Sequence, residues 1–195
     1  NLGVLKDDEV NIVLHGHEPT LSEMIVAAAS EPELIEYAKS KGAKGINLAG
    51  ICCTSNEILL RQGVPSAGNF LHQELALLTG AVEAMVVDVQ CIMQALPNLA
   101  EKFHTKFITT SPKVKITGGT HIESDEHKAL DQAREIVRLA IDNYPNRGSI
   151  EIPNIVNDIG PGFSHEYINY MLGGSYRASF RPLNDAIMSG RIRGV

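Results

Sequence analysis

The chain has 195 residues, a length that suits one large domain or two small ones. With 44% hydrophobic and 21% charged residues, its composition is that of a globular protein that buries a sizeable core. The formal net charge of -6 argues against a dedicated nucleic-acid binder, because binding to phosphates needs a basic face. No apolar run reaches the roughly 18–20 residues of a transmembrane segment, and no signal peptide is evident.

Cysteine usage indicates the compartment. Three cysteines are too few for a disulfide scaffold, and an odd number leaves at least one thiol unpaired. We therefore expect a cytoplasmic protein whose thiols are buried, reactive or bound to a metal. The sequence does not begin with Met, which allows it to be a piece of a longer chain.

Strand-like and helix-like segments alternate along the first two-thirds of the chain. The predicted strands cover residues 9–14, 45–51, 84–90 and 106–110. The predicted helices cover residues 21 to about 41 with a restart at 30–32, then 56–62, 71–82, 93–103 and 124–143. The strands are continuously apolar, as strands covered on both sides are, so the pattern predicts an α/β fold with a mainly parallel sheet and helices on both faces. The last third is less regular: residues 173–175 separate two short helices, and residues 191–195 are expected to begin a further strand.

Metal-ligating residue types follow three of the predicted strands directly. His15 and His17 follow the first strand, Cys52 and Cys53 the second, and Cys91 the third. Ligands of open α/β sheets bind outside the carboxyl ends of the strands, so these residues are expected at one edge. Imidazole and thiolate together form a soft ligand set that suits zinc, nickel or iron–sulfur.

Structural roles compete with this interpretation. A free buried cysteine is often a small hydrophobic residue, and adjacent Cys52 and Cys53 point apart on an extended chain, so at most one is expected on a given metal. His15 and His17 share one side if the strand continues, and one of them then supports the other or relays protons. The five remaining histidines are interpreted as surface or core residues. The glycines at 45–50 fit no dinucleotide-binding fingerprint, and no hydrolase nucleophile elbow is present.

Several motifs closely resemble the nickel–iron–sulfur carbon monoxide dehydrogenases, and the resemblance covers essentially the whole chain. They are N-I-V-L-H-G-H-E-P at residues 11–19, G-I-N-L-A-G-I-C-C-T at 45–54 and D-V-Q-C at 88–91, supported by I-T-T at 108–110, K-I-T-G at 115–118, T-H at 120–121, E-I-P-N-I at 151–155 and R-I-R-G-V at 191–195. The family's catalytic subunit has an N-terminal helical domain that carries iron–sulfur clusters, followed by two Rossmann-like domains. The resemblance implies that residues 1–195 are the middle domain alone, a three-layer Rossmann-like domain.

The resemblance also implies a partial set of cluster ligands. One histidine and five cysteines hold the family's nickel–iron–sulfur active-site cluster. The second histidine of H-G-H corresponds to His17, the second cysteine of the Cys-Cys pair to Cys53, and the cysteine that closes D-V-Q-C to Cys91. The other three cysteines belong to the absent last domain. His15 and Cys52 are second-tier candidates.

The activity implied by the resemblance is the interconversion of CO and water with CO₂, two protons and two electrons. The parent enzyme is expected to be a homodimer that carries further 4Fe-4S clusters and passes electrons to a ferredoxin-like carrier. An acetyl-CoA synthase partner is left open. Two alternatives remain: a hybrid-cluster (prismane) type iron–sulfur protein, and a structural or interaction module that is inactive as an isolated fragment.

Overall fold

The described part of the chain, residues 1–158, 165–172 and 181–194 of a computed structural model, contains one sheet of six parallel strands. The strand order is β3-β2-β1-β4-β5-β6, and each neighbouring pair is parallel. The strands are β1 Val10–His15, β2 Ile46–Ile51, β3 Ser66–Gly68, β4 Val82–Val87, β5 Lys106–Thr109 and β6 Thr120–His121. The prediction of an α/β fold around a parallel sheet is confirmed.

Helices cover both faces of this sheet. They are α1 Pro19–Ala29, α2 Pro32–Ser40, α3 Cys52–Gln62, α4 Gln73–Leu78, α5 Leu96–Ala100 and α6 Ala129–Asn143. Apolar side chains such as Ile12 and Leu14 pack with those of α1, α2, α3 and α6 in one cluster. Their neighbour Val13 packs on the other face with α4, α5 and the N-terminal segment. Side chains of a strand alternate between faces, so two helical layers enclose the sheet as the predicted three-layer arrangement requires.

Several predicted helices are shorter in the structure. The predicted helix at residues 71–82 is α-helical only over α4, because the chain turns at Gly80 with a φ of +66° and then enters β4. The predicted helix at 93–103 shrinks to α5, whose second residue is Pro97, and proline is tolerated only in the first turn of a helix. The helix predicted from residue 124 begins at Ala129, after a 3-10 turn that the Asp125 side chain caps. The predicted break at residues 30–32 is confirmed by the separate helices α1 and α2.

Two differences affect the site directly. The third predicted strand ends at Val87 rather than at residue 90, so residues 88–91 form a loop. Helix α3 starts at Cys52 rather than at residue 56, which places both adjacent cysteines in its first turn. The short strands β3 and β6 were not predicted.

The chain divides into two compact units, Asn1–Ile159 and Gly160–Val195. The described residues of the second unit include helices α7 His165–Leu172 and α8 Arg181–Met188, which match the two predicted short helices, while residues 173–175 lie outside the described residues. Residues 191–194 are not in a strand, so the expected strand start is wrong for them, and Val195 lies outside the described residues. Among the described helices, none is long and apolar enough to cross a membrane. The assignment of residues 1–195 as one middle domain of a longer chain stays a prediction.

Candidate metal centre

Three chain segments meet at the carboxyl edge of β2, β1 and β4. His15, the last residue of β1, is in register with Ile51 on one side and with Val87 on the other. In a doubly wound sheet the crevice for ligands opens at this switch between β1 and β4. The segments that leave the three strands carry His17, the Cys52–Cys53 pair and Cys91.

Gly16 and Asp88 form a tight joint between the histidine loop and the loop after β4. Gly16 has a φ of +135°, and a Cβ atom built there would lie 1.7 Å from Oδ1 of Asp88. The buried Asp88 carboxylate accepts hydrogen bonds from the backbone N–H groups of His17 at 2.6 Å and Glu18 at 2.8 Å, and also from that of Val89. The strand ends at His15, so the condition under which His15 and His17 would share one side of a strand is not met. Sequence reasoning gave Asp88 no role of its own, although this residue opens the D-V-Q-C motif at residues 88–91.

The half-buried His17 side chain has one ring nitrogen committed to the protein. Its Nδ1 lies 3.2 Å from the carbonyl oxygen of Val89, a distance at which Nδ1–H donates. A neutral imidazole protonated on Nδ1 keeps a lone pair on Nε2. Within the described residues, Nε2 of His17 has no hydrogen-bond partner. Metal-binding histidines are commonly oriented by a hydrogen bond from the other ring nitrogen, which is the role that the Nδ1 contact with Val89 can fill.

The His15 side chain is buried, and both of its ring nitrogens face backbone carbonyls. Nε2 lies 2.8 Å from the oxygen of Cys91, and Nδ1 lies 3.4 Å from that of Ile51. Burial lowers the pKa of His15, although the carbonyl contacts partly oppose this. A neutral ring has one N–H to donate, and the shorter contact assigns it to Nε2. His15 therefore joins the β1 end to the cysteine loop.

The adjacent cysteines differ in exposure. Cys52 is half-buried and has a φ of 62°, whereas Cys53 is exposed. Burial raises the pKa of the Cys52 thiol to about 11, and the charges of Cys91 and Cys53 add to this effect. Cys52 thus lies close enough to both other sulfurs to respond to their charge. The N–H of Thr54 donates to the carbonyl of Gly16 at 2.9 Å, which ties the first turn of α3 to the histidine loop.

Cys91 lies in the loop beyond β4, with its side chain exposed. Gln90 and Cys91 have φ values of 59° and 53°, in the left-handed region that residues other than glycine seldom adopt. The Cys91 carbonyl faces His15 and also accepts a hydrogen bond of 2.7 Å from Nε2 of Gln73. Sequence reasoning missed Gln73, because a single glutamine inside a predicted helix cannot be told from an ordinary surface residue.

The other histidines take structural positions. His127 and His165 are exposed, as expected of surface residues. Nε2 of His104 lies 2.8 Å from the buried carboxylate of Glu83, a core position. His72 accepts the N–H of Asn69 at 3.0 Å, and Nδ1 of His121 lies 2.9 Å from a threonine hydroxyl.

The donor atoms at this edge are of the types that a soft metal centre binds. Within the described residues, no group of three or more His, Cys, Asp or Glu side chains is already arranged to hold a metal ion. The edge nevertheless offers an imidazole nitrogen with its lone pair and two exposed thiols. These donor types fit nickel and iron–sulfur chemistry, as part of a larger ligand set.

Comparisons with known proteins identify the family. The model of the Prismane/CO dehydrogenase family matches residues 1–195. Carbon monoxide dehydrogenase 1 of Methanosarcina mazei is 58% identical over 197 residues, which cover 100% of this chain and 31% of that protein.

Two solved structures have the same fold over the whole chain. A nickel-free crystal structure of carbon monoxide dehydrogenase from Thermococcus sp. AM4, produced without its maturase, matches with a TM-score of 0.85 and 52% identity, covering 100% of this chain and 30% of that one. A chain of an acetyl-CoA synthase/carbon monoxide dehydrogenase, whose closed and open alpha subunits hold NiZn[Fe4S4] and NiNi[Fe4S4] clusters, matches with a TM-score of 0.89 and 46% identity, covering 100% of this chain and 29% of that one. The chain spans less than a third of each of these relatives, and over that span it belongs to the Prismane/CO dehydrogenase family.

Proposed function

We propose that this chain is the part of an anaerobic carbon monoxide dehydrogenase that supplies His17, Cys53 and Cys91 to a nickel–iron–sulfur cluster. The whole enzyme interconverts CO and water with CO₂, two protons and two electrons. The observation that carries the proposal is the meeting of the histidine loop and both cysteine segments at one sheet edge, where Asp88 and the Cys91 carbonyl join them. Sequence identities of 58% and 52%, over the whole of this chain, to named carbon monoxide dehydrogenases support it.

The geometry favours the proposed ligands over their neighbours. His17 keeps Nε2 available to a metal, whereas both ring nitrogens of His15 face carbonyl oxygens. Cys53 and Cys91 are exposed, whereas Cys52 is half-buried. One imidazole and two thiolates make up half of the six protein ligands that the resemblance implies, so the remaining thiolates come from a part of the relatives that this chain does not span.

The residues of this chain orient and hold the donors. A bound nickel–iron–sulfur cluster supplies the metal chemistry that activates CO and water and accepts the electrons. Asp88 fixes the backbone of His17, and the Val89 carbonyl sets the direction and tautomer of its ring. Such contacts behind the ligands tune metal affinity as well as geometry, so the chain contributes catalysis by positioning.

The organisation of the whole enzyme is also proposed. Further 4Fe-4S clusters, the homodimer, electron transfer to a ferredoxin-like carrier and a cytoplasmic location follow from the resemblance. Association with an acetyl-CoA synthase is proposed on a narrower basis, since one matching structure is named as such a complex. Residues 1–195 are proposed to be the middle Rossmann-like domain, between a helical cluster domain and a second Rossmann-like domain.

A hybrid-cluster (prismane) type protein is the second candidate, because the matching family includes it by description. The two candidates differ in nickel. A longer protein that contains this chain is expected to bind nickel and iron and to reduce a viologen dye in the presence of CO. Iron without nickel, together with no CO-dependent dye reduction, would contradict the proposal and favour the hybrid-cluster type.

Cysteine variants test the ligand assignment in the same longer protein. Cys53→Ala and Cys91→Ala are expected to abolish CO oxidation and lower nickel content, because each removes a thiolate from a cluster without a spare protein ligand. Cys52→Ala is the matched control, and it is expected to retain more activity. An equal loss in all three variants would overturn the choice of Cys53 over Cys52.

A further inference from the structure

Gln73, the first residue of α4, is fully buried and uses its whole amide group on the cysteine loop and its own turn. Its Nε2 donates to the carbonyl oxygens of Cys91 at 2.7 Å and Phe70 at 3.0 Å. Its Oε1 accepts the N–H of Met93 at 3.1 Å. The Gln73 side chain therefore holds the loop by hydrogen bonds on both sides of Ile92. Gln73 is itself fixed in position because its side chain is completely buried.

The hydrogen bonds of Gln73 hold a part of the loop where the backbone is strained. Gln90 and Cys91 both have positive φ values, a conformation that persists in such residues only where the surroundings hold it. The Cys91 carbonyl meets Nε2 of His15 as well as Nε2 of Gln73, so two groups fix the plane of one peptide. Since the Cα–Cβ bond of Cys91 leaves this same backbone, the two contacts also set the direction of its side chain.

We infer that Gln73 is a positioning residue for the Cys91 thiolate, which it holds ready for the metal by locking the left-handed turn at residues 90–91. The inference rests on the proposed function, because it takes Cys91 as a ligand. It gives a buried amide outside every cysteine and histidine motif a role in metal binding. Helix α4 thereby takes part in the site although it contains no ligand.

Two substitutions separate the contacts of Gln73 in the longer protein that contains this chain. Gln73→Leu has nearly the same size and removes all the polar contacts. Gln73→Glu, studied at pH 8, keeps an acceptor for the N–H of Met93 but has no N–H for Cys91. Gln132→Leu is the matched control, because Gln132 holds another loop in the same manner, through the carbonyl of Glu123 at 2.5 Å and the N–H of Asp125 at 2.9 Å.

Two measurements follow each variant. Nickel and iron bound per chain are measured after anaerobic loading with limiting metal, and amide hydrogen exchange is mapped on the metal-free protein. We expect nickel loading of both Gln73 variants to fall about tenfold, as for other losses of contacts behind metal ligands. Exchange is expected to speed up only at residues 88–95 and in the turn at residues 70–73, which Gln73 also contacts. Gln132→Leu is expected to load like the wild type, with faster exchange only near residues 123–125.

Other outcomes would overturn the inference. Wild-type loading of either Gln73 variant shows that the Cys91 contact does not matter for the metal. Faster exchange throughout the chain assigns Gln73 a role in the fold alone. Cys91→Ser, prepared in parallel, tests the ligand role of Cys91 independently of Gln73. If it loses nickel while the Gln73 variants keep it, the positioning role alone is wrong, whereas nickel retention in Cys91→Ser overturns the ligand role of Cys91 and this inference with it.

Discussion

The Asp88 carboxylate accepts a hydrogen bond of 2.6 Å from the backbone N–H of His17. The two residues are far apart in the chain, but they leave adjacent parallel strands at the same edge. The second carboxylate oxygen accepts the N–H of Glu18, so the start of α1 is fixed as well. Asp88 therefore couples the loop of one proposed ligand to the loop of another, Cys91.

Asp88→Asn is expected to weaken this joint. An asparagine places an NH₂ group against backbone N–H donors, so at least one charge-assisted hydrogen bond is lost. We expect the free energy of unfolding of the metal-free protein to fall by about 2–3 kcal/mol, measured by urea denaturation. Asp131→Asn, which removes an exposed carboxylate on α6 and its surface ion pair with Arg134, is the control and should cost no more than about 0.5 kcal/mol. Equal stability of Asp88→Asn and the wild type would show that the joint contributes little.

Gly16→Ala is expected to disrupt the same joint sterically. The added methyl group meets Oδ1 of Asp88 at 1.7 Å, and the φ of +135° excludes ordinary side chains. The expected loss of stability is about 3 kcal/mol or more. Gly63→Ala separates strain from the clash, because Gly63 has a φ of +72° but open space around its Cβ position, and it should cost about 1–2 kcal/mol. Similar losses in both variants would mean that the contact with Asp88 relaxes freely.

The two histidines are expected to differ when each is replaced by alanine. His17→Ala removes a proposed cluster ligand and should severely lower both metal content and CO oxidation. His15→Ala removes a contact to the Cys91 carbonyl, which Gln73 still holds, so more activity should remain. Metal analysis and CO-dependent dye reduction in the longer protein test this. A larger loss in His15→Ala would exchange the two roles.

Residues 1–195 expressed alone are expected to fold without the native cluster. Both apolar clusters that enclose the sheet lie within the first unit, so this part has a core of its own. Three ligands cannot hold the cluster, although one imidazole, two thiolates and a water suit adventitious zinc. We expect a colourless, CO-inactive protein with weak, substoichiometric metal, checked by elemental analysis and absorption spectroscopy. A brown protein with bound nickel, iron and sulfide would refute this.

Local pattern was enough to predict most of the scaffold. The runs of β1, β2, β4 and β5 are continuously apolar, as in strands covered on both faces, and the apolar face of α6 repeats with the period of an amphipathic helix. The residue types at the ends of these strands also predicted which segments meet, because parallel strands bring their carboxyl ends to one edge. Fold class and the sheet edge at which these segments meet were therefore determined by the sequence itself.

Only the tertiary structure decided which side chains hold that edge together. Asp88 and Gln73 act on backbone groups that reach them through strand register and helix packing, and no local spacing records such contacts. The end of β4 and the start of α3 also depend on long-range contacts, because the N–H of Asp88 donates to the carbonyl of His15 and that of Thr54 to the carbonyl of Gly16. Strands β3 and β6 are too short to have a period, and pairing with a neighbouring strand alone defines them. Sequence periodicity reports burial one segment at a time, whereas the geometry of the proposed ligands arises between segments.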